Sequence, residues 1–229
     1  MVSVMRTEQE WIRYCVRNIK GGYISMSDNN PAGFYDASLV LLKQIQSLTS
    51  LHGKRILDIG CGLGRLPMGL DGEEIPFLSY VGLDVLPYHI RYCTEAFRED
   101  GRFEFYHLPV QNKRYAPKQD GSLASVDFTK YGEFDLVVAN SVFTHLGPLA
   151  NAKAYMRQIR RVLGASTEFY CTFLTVPPHT AVRYDCKRTI YRIEDVRALF
   201  VDNGLMVDSF RDGDTTEGGN QLRVLLKNV

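Results

Sequence analysis

The residues best suited to chemistry in this chain are Asp58-Ile59-Gly60-Cys61-Gly62-Leu63-Gly64, an acid followed by glycines at every second position. Glycine has no Cβ, so the spacing permits a sharp turn and lets a ligand approach the main chain more closely than any side chain would allow. Arg55-Ile56-Leu57 before it reads as a buried parallel strand and Arg65 onward suits a helix, which places the glycines in a strand-to-helix turn. Two further apolar runs end in polar residues. Val81-Gly82-Leu83 closes on Asp84, an acid positioned to accept both hydroxyls of a ribose. Val137-Val138-Ala139 closes on Asn140-Ser141. Open parallel sheets bind ligands beyond the carboxyl ends of their strands, so these three ends together predict a pocket for a nucleoside-like molecule.

Spacing narrows the choice of nucleoside. A dinucleotide site needs G-x-G-x-x-G, but the third residue after Gly62 is Arg65, and the pattern present is G-x-G-x-G. No Lys-Ser/Thr follows the glycines, which excludes a phosphate-binding P-loop. For proton transfer, the histidine nearest these strand ends is His145, read either as a general base or as a packing residue at a helix entry. His179, in Pro177-Pro178-His179 after a later strand, is a weaker candidate, and His52, His89 and His107 read as surface or packing residues. Asp58 can also be read as a turn cap, Asp84 as a strand terminator and Cys61 as a small filler.

Leu57 to Gly64 resembles the first motif of the class I S-adenosylmethionine-dependent methyltransferases, Val81-Gly82-Leu83-Asp84 the second, and Phe134-Asp135-Leu136-Val137-Val138-Ala139-Asn140 the fourth. The likeness continues through Ser141 to Leu146, Tyr155 to Leu163 and Tyr191 to Val196, covering most of residues 54 to 227. The resemblance implies S-adenosyl-L-methionine as cofactor, with S-adenosyl-L-homocysteine as product. It places Gly60, Cys61, Gly62 and Gly64 at the methionine part, Asp58 and the Asn140 backbone at its amino group, and Asp84 on the ribose, with Val85, Val110, Gln111 and Ser141 completing the site. The family often holds the adenine amine with an acid after the third strand. Pro109 stands in that place and has neither an acid nor an N–H, which leaves Gln111 or backbone near Val110.

The elements that must position these residues alternate in type. Strand runs are expected over Tyr80–Val85, Phe103–Leu108, Phe134–Asn140 and Glu168–Thr175, with helices over Tyr88–Arg98, Ala150–Leu163 and Ile193–Asn203. Pro87 suits an opening helical position, and Gly204 suits a helix end. Leu205–Phe210 and Gln221–Leu226, joined by the polar stretch Asp212–Gly219, read as an antiparallel hairpin. The expected fold is α/β, a Rossmann-like doubly wound, mostly parallel seven-stranded sheet with a C-terminal antiparallel hairpin. Before it, residues 7–20 carry Trp11, Ile12, Cys15, Val16 and Ile19 at helical spacing, and Ala37–Leu48 carries a second apolar stripe. Residues 1–50 therefore read as an N-terminal helical extension or lid on a methyltransferase domain spanning 51–229.

Composition sets the outer bounds. With 27 basic and 26 acidic residues the chain has no excess field for nucleic acid or an anionic membrane, and its first 20 residues lack the apolar core of a signal peptide, so a cytoplasmic location is expected. Five scattered cysteines lack C-x-x-C pairing and read as reduced core residues. A Pro-Pro motif after Asn140 and an acidic metal cluster are both missing, which argues for metal-independent transfer to O or N of a small organic molecule such as a sugar, natural product or metabolite. Tyr23, Phe34, Tyr35 and Tyr184 are either an acceptor wall or ordinary core aromatics. Two other readings remain: methylation of a protein or RNA through Lys113-Arg114, Arg160-Arg161, Arg183 and Lys187-Arg188, or a catalytically inactive cofactor-binding scaffold.

Overall fold

Apolar runs of four to nine residues, too short for helices and rich in Val, Ile, Leu and Phe, form a parallel sheet with strand order β3-β2-β1-β4-β5. These are β1 (Arg55–Ile59), β2 (Ser79–Asp84), β3 (Phe103–His107), β4 (Leu136–Ala139) and β5 (Glu168–Val176). The structure, a computed structural model, describes residues 6–18, 31–113, 115–122, 125–180, 183–184, 188–216 and 219–228. β1 pairs with β2 on one side (Asp58 opposite Gly82) and with β4 on the other (Asp58 opposite Val138), so the order reverses beside β1. That reversal opens a crevice at the strands' carboxyl ends.

Beyond β5 the sheet turns antiparallel. β9 (Gly219–Asn228) runs against β5 and β8 (Leu205–Thr216) runs against β9, giving the seven principal strands and the terminal hairpin that the sequence predicts. The hairpin is longer than its apolar runs indicate. Most of the polar stretch from Asp212 continues as strand, because main-chain pairing with β9 persists through two register shifts, between Val207 and Ser209 and between Asp212 and Thr215. A small extra pair lies past the end of β5, where β7 (Thr189–Arg192) runs parallel to the last residues of β5 and pairs with the two-residue β6 (Arg183–Tyr184).

Helices cover both faces. On one side, α5 (Leu149–Val162) and α6 (Ile193–Val201) pack Met156, Ile159, Leu199 and Phe200 against Leu57, Val137, Phe169 and Val224. On the other side are α1 (Glu8–Asn18), α2 (Pro31–Gln46), α3 (Arg65–Gly72) and α4 (Pro87–Phe97), facing Ile56, Leu136, Val138, Tyr170 and Leu225. Alternate strand residues thus enter alternate layers, as period-2 geometry requires. Pro87 stands at the first turn of α4, and Gly204, at φ +60°, follows α6.

The two N-terminal helices are anchored in this core. Trp11 is fully buried, lies 5.0 Å from the Phe97 ring, and donates its indole N–H to Asp71 at 2.8 Å. Arg6 donates its backbone N–H to the same carboxylate at 3.1 Å, so the α3 acid ties down the start of the described chain. Tyr23 and the side chain of Tyr184 lie outside the described residues. Trp11→Ala removes a buried aromatic and one partner of a buried acid. It is expected to lower stability by about 3–5 kcal/mol in urea unfolding, with Trp11→Phe losing less because a buried aromatic ring remains although the N–H and part of the ring volume are lost.

Candidate active site

The turn after β1 is shaped by main-chain demands. Gly60 adopts φ +80°, and a Cβ there would meet Val142 Cγ2 at 2.7 Å. The residue must therefore be glycine for the turn to close against the loop after β4. Its N–H and that of Cys61 donate to Leu83 O at 2.7 and 3.0 Å, and the Gly62 N–H donates to Asp84 Oδ2 at 2.9 Å. These three donors face the neighbouring strand end. What the turn offers a ligand is close approach and carbonyl oxygen.

The crevice is a cavity of about 410 Å³, within the range of small-molecule sites. Asp58, Gly60, Cys61, Gly62, Asp84, Val85, Val110, Gln111, Asn140, Ser141 and His145 all line it. Two sequence candidates do not. Gly64 sits behind the turn at φ +85°, where a Cβ would press on Cys93 Sγ at 3.2 Å, so its role is the entry into α3. His179 is exposed and outside the lining, so only His145 of the two base candidates reaches the cavity.

Both acids are held before any ligand arrives. Asp58 is buried, with the Tyr80 hydroxyl donating to Oδ2 at 2.6 Å. Burial pushes its pKa up to about 7; the Tyr80 hydrogen bond opposes the rise and the nearby Asp84 charge adds to it. Asp84 accepts from Gly62 N–H through Oδ2, and through Oδ1 from the Leu86 N–H at 2.8 Å and faces His89 Nδ1 at 3.0 Å. His89 is thus a cavity residue paired with the acid, which corrects its reading as surface or packing. Its position one turn into α4 follows from Pro87, which starts the helix directly after the strand.

One wall comes from the loops after β3 and β4. Ser141 has φ +59°, uncommon for a side-chain-bearing residue, and both of its backbone groups are fixed: its N–H donates to Thr172 Oγ1 at 2.7 Å and its carbonyl accepts from Thr144 Oγ1 at 2.6 Å. His145 stands edge-on to Tyr115, with ring centres 5.2 Å apart, and its carbonyl accepts from Asn112 Nδ2 at 3.2 Å. On the opposite side α2 contributes Phe34 and Leu41, and α3 contributes Arg65 and Leu66. The Arg65 guanidinium lies 5.4 Å from the Phe34 ring centre, and burial lowers its pKa.

Residues 57–168 match the family model described as a methyltransferase domain. Those residues carry a methyltransferase domain, in agreement with the class I S-adenosylmethionine-dependent family that the sequence motifs resemble. The chain is an enzyme, and S-adenosylmethionine is its cofactor. Solved structures share the fold at low sequence identity. An S-adenosylmethionine-dependent methyltransferase from Leishmania major is 14% identical, with TM-score 0.63 over 96% of this chain and 82% of that one. One from Mesorhizobium loti is 12% identical, with TM-score 0.61 over 85% and 100%. The magnesium protoporphyrin IX methyltransferase from Synechocystis with bound S-adenosylhomocysteine is 16% identical, with TM-score 0.58 over 87% and 84%.

The cavity of this methyltransferase fits such a cofactor on its own terms: a turn that only glycine allows, a buried acid beside it and a second acid one strand away. Sequence reasoning missed Tyr80, His89, Arg65, Tyr115 and Tyr155 as lining or supporting residues. Only His89 had a readable signal, five residues after Asp84 across a helix start. Among the described residues no helix is long and apolar enough to cross a membrane.

Asp58 ties stability to pH. A native pKa near 7 against about 4 in the unfolded chain means the folded protein holds the extra proton between those values. Its stabilising contribution is therefore full below about pH 4, falls as pH rises through 7, and is flat above. Urea midpoints of wild type and Asp58→Asn are expected to diverge with rising pH, the variant gaining on the order of 2–4 kcal/mol relative to wild type by pH 8.

Proposed function

We propose that this enzyme transfers the methyl group to an oxygen or nitrogen of a small organic molecule, without a metal, by in-line displacement. The observation that carries the reading is the lining of the cavity, to which Phe34 and Leu41 of α2 contribute on one side and Tyr115 beside His145 on the other. These apolar and aromatic groups suit a compact acceptor held next to the cofactor. Bound there, S-adenosylmethionine supplies a methyl on a sulfonium that leaves as a neutral thioether when an acceptor lone pair attacks.

The chain's own groups then divide the work. Asp58, in its ionised form, accepts from the cofactor's ammonium, and the Asn140 carbonyl accepts from the same group. Asp84 has three of its roughly four acceptor positions filled by Gly62, Leu86 and His89, which leaves one open for a ribose hydroxyl. His145 takes the proton that a hydroxyl or ammonium acceptor must lose. Among the described residues no group of three or more His, Cys, Asp or Glu is placed to hold a metal.

Of the basic residues considered for a protein or RNA substrate, Arg160 and Arg161 do not favour that alternative. Arg160 and Arg161 lie in the last turn of α5, where Arg160 donates to Asn203 O and Leu163 O and Arg161 lies 3.6 Å from Asp127. Neither lines the cavity, and Arg114, Lys187 and the side chain of Arg183 lie outside the described residues.

Incubation with methyl-labelled cofactor and a cell extract separated into metabolite, protein and RNA fractions tests the reading. Label is expected in the metabolite fraction and undiminished by a chelator; label in protein or RNA alone overturns it. Asp84→Ala is expected to weaken S-adenosylhomocysteine binding at least tenfold by calorimetry, since it removes an acceptor and leaves the Gly62 N–H and His89 unpaired. With the acceptor so found, His145→Gln is expected to lower turnover about 10²–10⁴-fold and to remove the acidic limb of the pH–rate profile; an unchanged rate and profile exclude His145 as base.

A further inference from the structure

Arg65 is the one described residue lining the cavity that carries a permanent positive charge, and neither the two acids nor His145 makes use of it. It follows Gly64 directly as the first residue of α3. Other arginines are balanced: Arg55 meets Asp135 at 3.0 Å and Arg102 meets Asp100 at 2.6 Å, and each aspartate raises its partner's pKa. Arg65 has no such partner. Among the described residues no carboxylate pairs with it and no hydrogen bond reaches its guanidinium, which stands 5.4 Å from the centre of the Phe34 ring. Burial lowers its pKa with no carboxylate to oppose the fall, and the pKa of Asp58 answers to burial, Tyr80 and Asp84 but not to Arg65. A partly buried cation without a counter-ion costs free energy, so one that borders a cavity points to an anionic ligand group. Its forked N–H donors suit a planar carboxylate.

The cofactor brings such a group within reach. Its α-carboxylate sits on the same carbon as the ammonium proposed to meet Asp58, so it enters a part of the cavity that already holds a buried acid. Main-chain donors of the glycine turn do not offset that charge. The N–H groups of Gly60 and Cys61 go to Leu83 O, that of Gly62 goes to Asp84, and that of Gly64 goes to Cys61 O at 3.0 Å. Across the crevice the Ser141 N–H is taken by Thr172. A carboxylate there needs a cation, and Arg65 is the cation present. The acceptor is a second source of the same chemistry, because the guanidinium lies against Phe34 of α2, which borders the cavity on the side proposed for the acceptor.

We propose that Arg65 is a carboxylate-binding residue, its guanidinium pairing with a carboxylate that a ligand brings between the glycine turn and α2. As a cofactor site it rests on S-adenosylmethionine binding alone, and as an acceptor site it rests on the small-molecule reading. Calorimetric titration with S-adenosylhomocysteine and with its decarboxylated analogue, which keeps the amine, separates the two sources. If the cofactor supplies the carboxylate, wild type binds the analogue about 10- to 100-fold more weakly than the parent. Arg65→Gln then weakens the parent by a similar factor and leaves the analogue unchanged, and Arg65→Lys recovers part of the loss. If the acceptor supplies it, both ligands bind wild type and Arg65→Gln alike. Label from methyl-labelled cofactor then passes only to metabolites that an anion exchanger retains from a cell extract, and Arg65→Gln needs about tenfold more of that fraction for the same rate. The proposal is overturned if Arg65→Gln binds S-adenosylhomocysteine within about twofold of wild type and also labels the acidic metabolites at the wild-type rate. The comparison of parent and analogue on wild type needs no variant to fold, and equal affinities there remove the cofactor as the source. Wild-type protein that gives no heat with S-adenosylhomocysteine overturns the cofactor assignment itself. Label confined to protein or RNA overturns the small-molecule reading and leaves the comparison of parent and analogue standing.

Discussion

The structure depends on a carboxylate placed where a carboxylate is costly. Asp58 lies within β1 between the buried Leu57 and Ile59, is itself buried, and has one phenolic donor for its charge. That donor is reachable only because Gly82 stands opposite Asp58 in the β1–β2 register. A Cβ on Gly82 would lie 2.7 Å from the Phe105 ring and 3.0 Å from the Tyr80 ring, so the missing side chain is the space through which Tyr80, two residues back, extends its hydroxyl to the acid. The glycine of Val81-Gly82-Leu83-Asp84 thus serves the first acid, and the two motifs form one device. A pKa held near 7 makes the group easily neutralised when empty and readily ionised beside a cation.

Asp84 follows the opposite rule. It is buried as well, but it is satisfied by two backbone N–H groups and faces an imidazole, and it fixes the glycine turn through Gly62. The turn is also tied to β2 through Leu83 O and to α4 through the Cys93 thiol, which donates to Gly62 O at 3.5 Å. Across the crevice, the strained Ser141 is held from both sides by threonine hydroxyls. The site is consequently arranged before a ligand enters, which lowers the ordering cost of binding and keeps reacting groups aligned.

Much of this was legible in the sequence, for identifiable reasons. Strand runs, helix stripes and the glycine spacing are local patterns, and they placed the principal strands, the helices on both faces, and Asp58, Asp84, Asn140 and His145 at one crevice. What escaped depends on partners far away in the chain. Tyr80 looks like any strand aromatic until the register sets it diagonal to Asp58, and Tyr155 looks like a core residue on the amphipathic α5 until the fold brings it to the cavity lining. The extension of β8 through a polar stretch escaped because main-chain pairing, not side-chain pattern, holds it. Gly64 and His179 failed as cavity residues because spacing in sequence cannot tell the inside of a turn from its outside.

The N-terminal helices show how the cofactor and acceptor sides of the cavity differ in construction. The cofactor side is made from strand ends, whose positions are fixed by the sheet ladder. The far wall is made by α2, whose Phe34 and Leu41 face the cavity while Leu42 and Ile45 are buried in the core with Trp11. A wall that shares its helix with the core cannot swing away as a unit without exposing those side chains, at roughly 1.5–3 kcal/mol for each large apolar group. These core contacts hold α2 against the cavity, and on the proposed reading discrimination among acceptors falls to the side chains it presents. Substitutions at Phe34 and Leu41 are accordingly proposed to change acceptor choice without disturbing Asp58 or Asp84, because no hydrogen bond of either acid passes through α2.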